Sequence, residues 1–206
     1  MFIRRAKADD ADTLAKLIYD SAPQLLSAFF TLNSTFQVRN FLRTSLVCRD
    51  GQYGYHNHWV VEQNCQVVGC VSAWHCELSE SFHRASLTSI SQFYGLENAL
   101  LVLQNNHVLQ DCTSQPKVNE WCIGHLSVAP QNKRQGVASV LLEQMTCLAL
   151  EKNKSVICLD VEASNIQAIA FYTALGFVIE SETGVTLGMA KLGLGAHLHL
   201  SKAISS

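Results

Sequence analysis

Two short stretches of this chain carry residue types at spacings suited to chemistry on an anionic ligand. In the first, Val128-Ala129-Pro130-Gln131-Asn132-Lys133-Arg134-Gln135-Gly136-Val137-Ala138-Ser139, an extended run ends at Leu126 and Val128 and Pro130 stops it. Apolar residues then recur at Val137, Val140, Leu141, Met145 and Leu148, the spacing of one helix face, so a helix is predicted to begin near Arg134. The first turn of a helix presents unpaired backbone N–H groups at the positive end of its dipole, which suits a phosphate without any charged side chain. Gly136 lets the backbone come close, Ala138 and Ser139 keep the approach open, and Lys133 and Arg134 add positive charge. The same residues also describe an ordinary strand-to-helix turn with a solvated basic pair. The second stretch runs from Leu159 to Phe177, where Asn165 opens a helix and Tyr172 follows seven residues later, two turns along the same face.

Together the two stretches resemble the cofactor site of the GNAT superfamily of acyl-CoA-dependent N-acyltransferases. Lys133 to Ala138 matches the hallmark Arg/Gln-x-x-Gly-x-Gly/Ala, with Lys133 where the family usually has Arg or Gln. A strand, Asn165, Ala168 three residues on, Phe171-Tyr172 and then Gly176-Phe177 match its second half. The resemblance covers residues 118–192 well and the N-terminal half by layout only. It implies transfer of an acetyl group from acetyl-CoA to a primary amine of a small molecule or peptide. It also implies that Leu126, Ser127 and Val128 pair with the pantetheine arm through their backbone. Lys133, Arg134, Gln135, Gly136, Val137, Ala138, Ser139 and Asn165 would complete the cofactor site, with the Val128 N–H as donor to the thioester oxygen. Tyr172 stands at the position of the family's general acid; a phenol with a pKa of about 10 can hydrogen-bond or protonate the departing thiolate. The alternative is a module that binds acyl-CoA without catalysis. A phosphate site for another nucleotide fits less well, since no Gly-rich loop with a Lys-Ser/Thr pair is present.

The acceptor amine must lose a proton before it attacks. Counted by twos, Val128, Leu126, Gly124, Cys122 and Glu120 share one strand face, and Glu120 is its acidic member and the expected general base. Glu162, at the neighbouring strand end, is the second candidate. His125 faces the other side unless a bulge re-aims it. Glu120 also reads as a solvated carboxylate at a strand start, and Tyr172 as a half-buried helix aromatic.

Composition narrows the partners. A net charge of −2 over 206 residues gives no field to hold a nucleic-acid backbone. The apolar runs are too short to span a bilayer, and a basic start followed by Asp9, Asp10 and Asp12 does not read as a signal peptide, so no membrane association and a cytoplasmic location are expected. Eight cysteines without a C-x-x-C pair read as free thiols, and the pairs His56/His58 and His197/His199 lack a ligand set at metal spacing. No metal is expected.

Positioning these residues requires a single α/β domain over 1–192, with a mixed sheet and helices on both faces. The predicted order is strand 2–5; a helix from Asp9 or Asp10; a helix from Thr35 to Cys48 packed through Phe36, Phe41 and Leu42; and strands His58 to Glu62 and Gln66 to Trp74. Strand Glu120 to Val128, helix Arg134 to Glu151, strand Val156 to Val161 and helix Asn165 to Leu175 follow, then a closing hairpin of Phe177 to Glu180 with Val185 to Lys191. Between the third strand and Glu120, residues 78–117 read as a helical insertion and a lid over the acceptor site, with Glu80, Phe82 and Tyr94 as amine contacts; Phe93, Leu96, Leu100 and Leu103 pack the helix onto the sheet or onto a second subunit of a homodimer. Residues 193–206 read as a tail, loosely ordered or added as a strand to a partner subunit.

Overall fold

The computed structural model describes residues 1–33 and 37–205. Its centre is a seven-stranded sheet ordered β1-β2-β3-β4-β5-β7-β6. The strands are β1 (Phe2–Arg5), β2 (His58–Gln63), β3 (Gln66–Trp74), β4 (Glu120–Val128), β5 (Val156–Glu162), β6 (Val178–Glu182) and β7 (His197–Ala203). Neighbours are antiparallel except β4 and β5, which run parallel. The β2–β3 hairpin turns through Asn64 and Cys65, both at positive φ (50° and 59°), the backbone of a two-residue type I′ turn.

Helices cover both faces. On one lie α1 (Ala11–Ser21), α2 (Pro23–Phe30), α3 (Val38–Ser45), α4 (Glu80–Gln104), α5 (Asn106–Cys112) and α8 (Leu187–Lys191); on the other lie α6 (Val137–Glu151) and α7 (Ile166–Ala174). Leu14, Leu17 and Ile18 of α1 join Phe41, Leu42 and Val60 in the first core, as the helical spacing predicted. Val137, Leu141 and Met145 of α6 pack with Ile123, Ile157 and Leu159 in the second. Arg4 fastens the start of α1 to the sheet edge: it donates to both carboxylate oxygens of Asp10 (2.7 and 3.0 Å) and to Glu62 (2.8 Å).

Several expectations change. The expected helix start at Thr35 and its packing residue Phe36 lie outside the described residues; what is described begins at Val38. Helix α2, opened by Pro23 at its first position, was not foreseen. Val185 to Lys191 makes no hairpin strand. Thr186 instead accepts a hydrogen bond from the Met189 N–H and opens the short α8, burying Met189 completely. The segment set apart as a tail supplies β7, which lies between β5 and β6 and pairs with β5 from His197 to Ala203. Residues 78–117 are helical over α4 and α5, and α4 breaks at Gly95, where φ is +74°. Among the described residues no helix is long and apolar enough to cross a membrane.

Candidate functional site

The central feature is a parting of β4 from β5. They pair only at Glu120↔Val156, Trp121↔Ile157 and Cys122↔Cys158, although β4 continues to Val128 and β5 to Glu162. The cause sits on the other side of β4. Its register against β3 shifts between Cys70 and Ser72, so that His125 and Leu126 together oppose Val71, and His125 takes φ +51°. This is a β-bulge, and a bulge bends and twists its strand. Beyond it, Ala129 donates to the Val68 carbonyl (2.8 Å) and Ser127 pairs with Cys70, so by antiparallel alternation the N–H and C=O of Leu126 and Val128 point away from β3. A second strand-like molecule can pair with them there.

The bulge also corrects the count by twos. Leu126 and Val128 pack with Trp121 and Ile123 against the α6 core, on the face opposite Cys122 and Glu120. The backbone N–H and C=O of Leu126 and Val128 are the groups that point away from β3.

A cavity of about 460 Å³ occupies the parting. Its walls include Ser21 and Gln24 at the α1–α2 junction, Trp74, Gly124 and His125, Asp160 and Glu162 of β5, Asn165 and Tyr172 of α7, and His197 of β7. Helix α6 begins after β4 and the turn at Pro130–Asn132. Arg134 and Gly136 are both left-handed (φ +61° and +82°), and Gly136 is the N-cap. The helix therefore starts at Val137, three residues later than expected, because two positive-φ residues cannot continue a right-handed helix. Nothing lies within 4 Å of a side chain built at Gly136, so the ground over the N–H groups of Val137, Ala138 and Ser139 is open. Gln135 caps back onto the Gln131 carbonyl (3.0 Å), while Lys133 and Arg134 are exposed.

Asn165 is the N-cap of α7, its side chain accepting from the Ala168 N–H at 3.1 Å. That cap aims the helix so that Tyr172 reaches the cavity with its ring packed between Phe171 and Phe177. Burial pushes the Tyr172 phenol above its ordinary value, so it stays protonated at neutral pH.

The acidic candidates separate. Glu120 is buried, 4% exposed, at the stem where β4 and β5 still pair, and does not line the cavity. It accepts from the Lys117 N–H (2.7 Å) and meets the Lys117 ammonium at 3.3 Å. Glu162 does line the cavity. So does Asp160, a residue the sequence reading passed over, although it stands on the same strand face by twos as Cys158 and Glu162. Its carboxylate accepts from the Ser114 N–H (3.1 Å) and meets His199 Nδ1 at 2.9 Å. A ring nitrogen of His199, a carboxylate oxygen of Glu120 and the Cys158 sulfur all lie within 4.8 Å of one another. His125 is re-aimed by the bulge: it lines the cavity, its Nδ1 lies 3.4 Å from Ser21 Oγ, and its ring stacks on His58. Burial, reinforced by His58, pushes its pKa down to about 3.

The expected acceptor contacts on α4 lie elsewhere. Tyr94 is 2% exposed, hydrogen-bonds to the Phe30 carbonyl and packs against Phe41 and Phe93. Glu80 pairs with Arg84 beside a separate surface hollow, and Phe82 meets the edge of His83. None of the three lines the cavity between β4 and β5.

Comparison with known proteins agrees with this geometry. The model of the acetyltransferase (GNAT) family matches residues 25–177. A curated relative, the [ribosomal protein bS18]-alanine N-acetyltransferase of Escherichia coli K12, is 32% identical over 74 residues, 36% of this chain and 50% of that protein. The chain thus spans about half the length of the curated relatives it matches. An N-acetyltransferase from Staphylococcus aureus Mu50 superposes with a TM-score of 0.67 at 19% identity, over 98% of this chain and all of that one. The yncA protein of Salmonella typhimurium, solved with its cofactor acetyl-CoA, does so at 0.56 and 16%, over all of this chain and 95% of that one.

Proposed function

The chain belongs to the acetyltransferase (GNAT) family, and from that premise we propose that it moves an acetyl group from acetyl-CoA to a primary amine of a small molecule or a peptide. The observation that carries this reading is the parting of β4 and β5, which leaves the Leu126 and Val128 amides unpaired between an open helix start and a buried tyrosine. The N–H groups of Val137 to Ser139 suit the pyrophosphate, with Lys133 and Arg134 alongside. Leu126 and Val128 suit the amides of the pantetheine arm, and the Val128 N–H suits the thioester oxygen as it gains charge, a contribution of about 3 kcal/mol. Tyr172, held protonated by burial, donates to the departing thiolate.

On the acceptor side Asp160 is the carboxylate best placed to receive the amine proton, because it lines the cavity and is held in place from both of its oxygens. His125, with its pKa near 3, binds a proton more weakly than an ordinary carboxylate and serves as wall rather than base. Glu120 contacts no part of the cavity and is given no direct contact with the amine.

Thiol release from acetyl-CoA, measured against a panel that includes an alanine-led peptide, a free diamine and an arylalkylamine, tests the activity. Amine-dependent release with at least one of them is expected. Binding of CoA without release across the panel would favour the non-catalytic reading.

A further inference from the structure

Resting on the reading of this cavity as the acceptor pocket, we propose that the acceptor is a small dicationic amine, a diamine or polyamine whose second ammonium is held at Glu162 and His197. The walls carry three carboxylates, Asp20, Asp160 and Glu162, and among the described residues no lysine or arginine lines the space. The three differ in how far the fold already satisfies them. Asp160 is occupied by the Ser114 N–H and by His199. Asp20 is 39% exposed in its side chain and meets the exposed Arg39 guanidinium at 3.8 Å. The Glu162 carboxylate has no hydrogen bond and no ion pair to any described residue.

A second observation points to the same corner. His197, 6% exposed, stands opposite Glu162 in the pairing of β5 with β7, and residues directly opposite share a face of the sheet. Its Nδ1 lies 3.0 Å from the Gly195 carbonyl, which only accepts, so in the neutral ring the proton sits on Nδ1. The Nε2 lone pair then receives no donor from the described residues. Gly195 borders the carboxylate as well: a methyl group built there would stand 3.5 Å from Glu162 Oε1. Carboxylate, imidazole and glycine thus share one part of the cavity wall, and what it lacks is donors. An ammonium brings three N–H donors and a positive charge.

The opposite wall repeats the pattern. Ser21 Oγ gives its proton to the Ile18 carbonyl (2.6 Å), so His125 Nδ1 is the donor in their contact, and His125 Nε2 is buried without a partner. With its pKa pushed down to about 3 by burial, His125 carries no charge at neutral pH that would repel a cation. The strand sets the length of the acceptor. Asp160 and Glu162 are two residues apart on β5, about 7 Å along an extended chain. With the reacting nitrogen at Asp160, the second reaches Glu162 across a spacer of four or five carbons. A peptide led by alanine offers the first nitrogen alone.

1,4-Diaminobutane and butylamine, which differ in the second nitrogen, are the probes. Isothermal titration of each into the protein saturated with CoA reads binding without turnover, and thiol release from acetyl-CoA gives kcat and KM. The diamine should bind at least about tenfold more tightly than butylamine. Glu162→Gln should remove most of that preference and raise the diamine KM at least about fivefold, with a smaller change in kcat. Glu162→Asp, which keeps the charge, should restore part of it, and His197→Asn should lose part of it. Equal affinity for the two amines in the wild type, or binding of neither, overturns the proposal. So does a Glu162→Gln protein, folded by circular dichroism, that keeps the preference, or an uncharged alanine-led peptide that binds better than the diamine. Preferential binding of the diamine without thiol release from any amine would sink the proposed function and leave the cation site standing.

Discussion

The Trp74 indole lies directly over Gly124, so a methyl group added at Gly124 would overlap the ring. Both residues line the cavity: Trp74 on β3 is paired with Cys122, the last β4 residue paired with β5, and Gly124 lies two residues beyond it on β4. Gly124 is thus the space that lets an aromatic wall fold down beside the thioester's expected path. Gly124→Ala should cost about 1 to 3 kcal/mol of stability through overpacking. By displacing the indole it should also lower kcat/KM at least about tenfold. Urea unfolding and steady-state kinetics check both parts, and an alanine variant with full activity would remove Trp74 from the wall.

Acetyl-CoA should raise the melting temperature of the wild type in proportion to its excess over Kd. Gly136→Asp should abolish the rise, because a carboxylate would stand over the N–H groups meant for the pyrophosphate. Gly136→Asn is the matched control, since Asn also tolerates the left-handed backbone that Gly136 adopts at φ +82°. A similar loss in both variants would point to strain rather than charge.

Tyr172→Phe should lower kcat about 10²-fold with little change in acetyl-CoA affinity, since the proposed role of the phenol is to meet a charge that develops only as the thiolate leaves. Because burial keeps the phenol protonated, the wild-type rate should show no alkaline decline from this group between pH 7 and about 9. Isothermal titration with CoA and a pH–rate profile separate the two effects.

Glu80→Gln should leave the acceptor KM unchanged, because the side chain faces another part of the surface. Tyr94→Phe should instead destabilise the fold by about 1 to 2 kcal/mol, since it leaves the Phe30 carbonyl without its buried donor. A shifted amine preference in either variant would restore α4 to the acceptor site.

The Asp10 carboxyl is pushed up by burial, but its hydrogen bonds from Arg4 and the Lys7 N–H outweigh this and leave it below its ordinary value. A depressed folded value means stability that is present above the unfolded pKa of about 3.9 and is lost as pH falls through the folded one. Asp10→Asn should therefore lower stability by about 1 to 2 kcal/mol at pH 7. The gap to wild type should close on acidification below pH 4, which urea midpoints at several pH values will show.

Local signals settled the parts of this protein that local physics dictates. The apolar alternation of Gln66–Trp74 and Glu120–Val128, the Asn165 cap and the Gly136 turn were all legible, because each depends on a few successive residues and their backbone preferences. The segments proposed to hold the cofactor are of this local kind. The lining of the cavity between β4 and β5 is not. Counting by twos fails at His125, where a bulge imposed by pairing with β3 reverses the strand's faces. The base candidates depend on which strands stay paired: Glu120 falls on the closed stem of β4 and β5, and Asp160 on the opened part. His199 becomes Asp160's partner only because the last strand inserts between β5 and β6, a pairing of residues 39 apart in the chain. Which side chains share a buried space is decided by register between distant strands, and no periodicity within either strand encodes it.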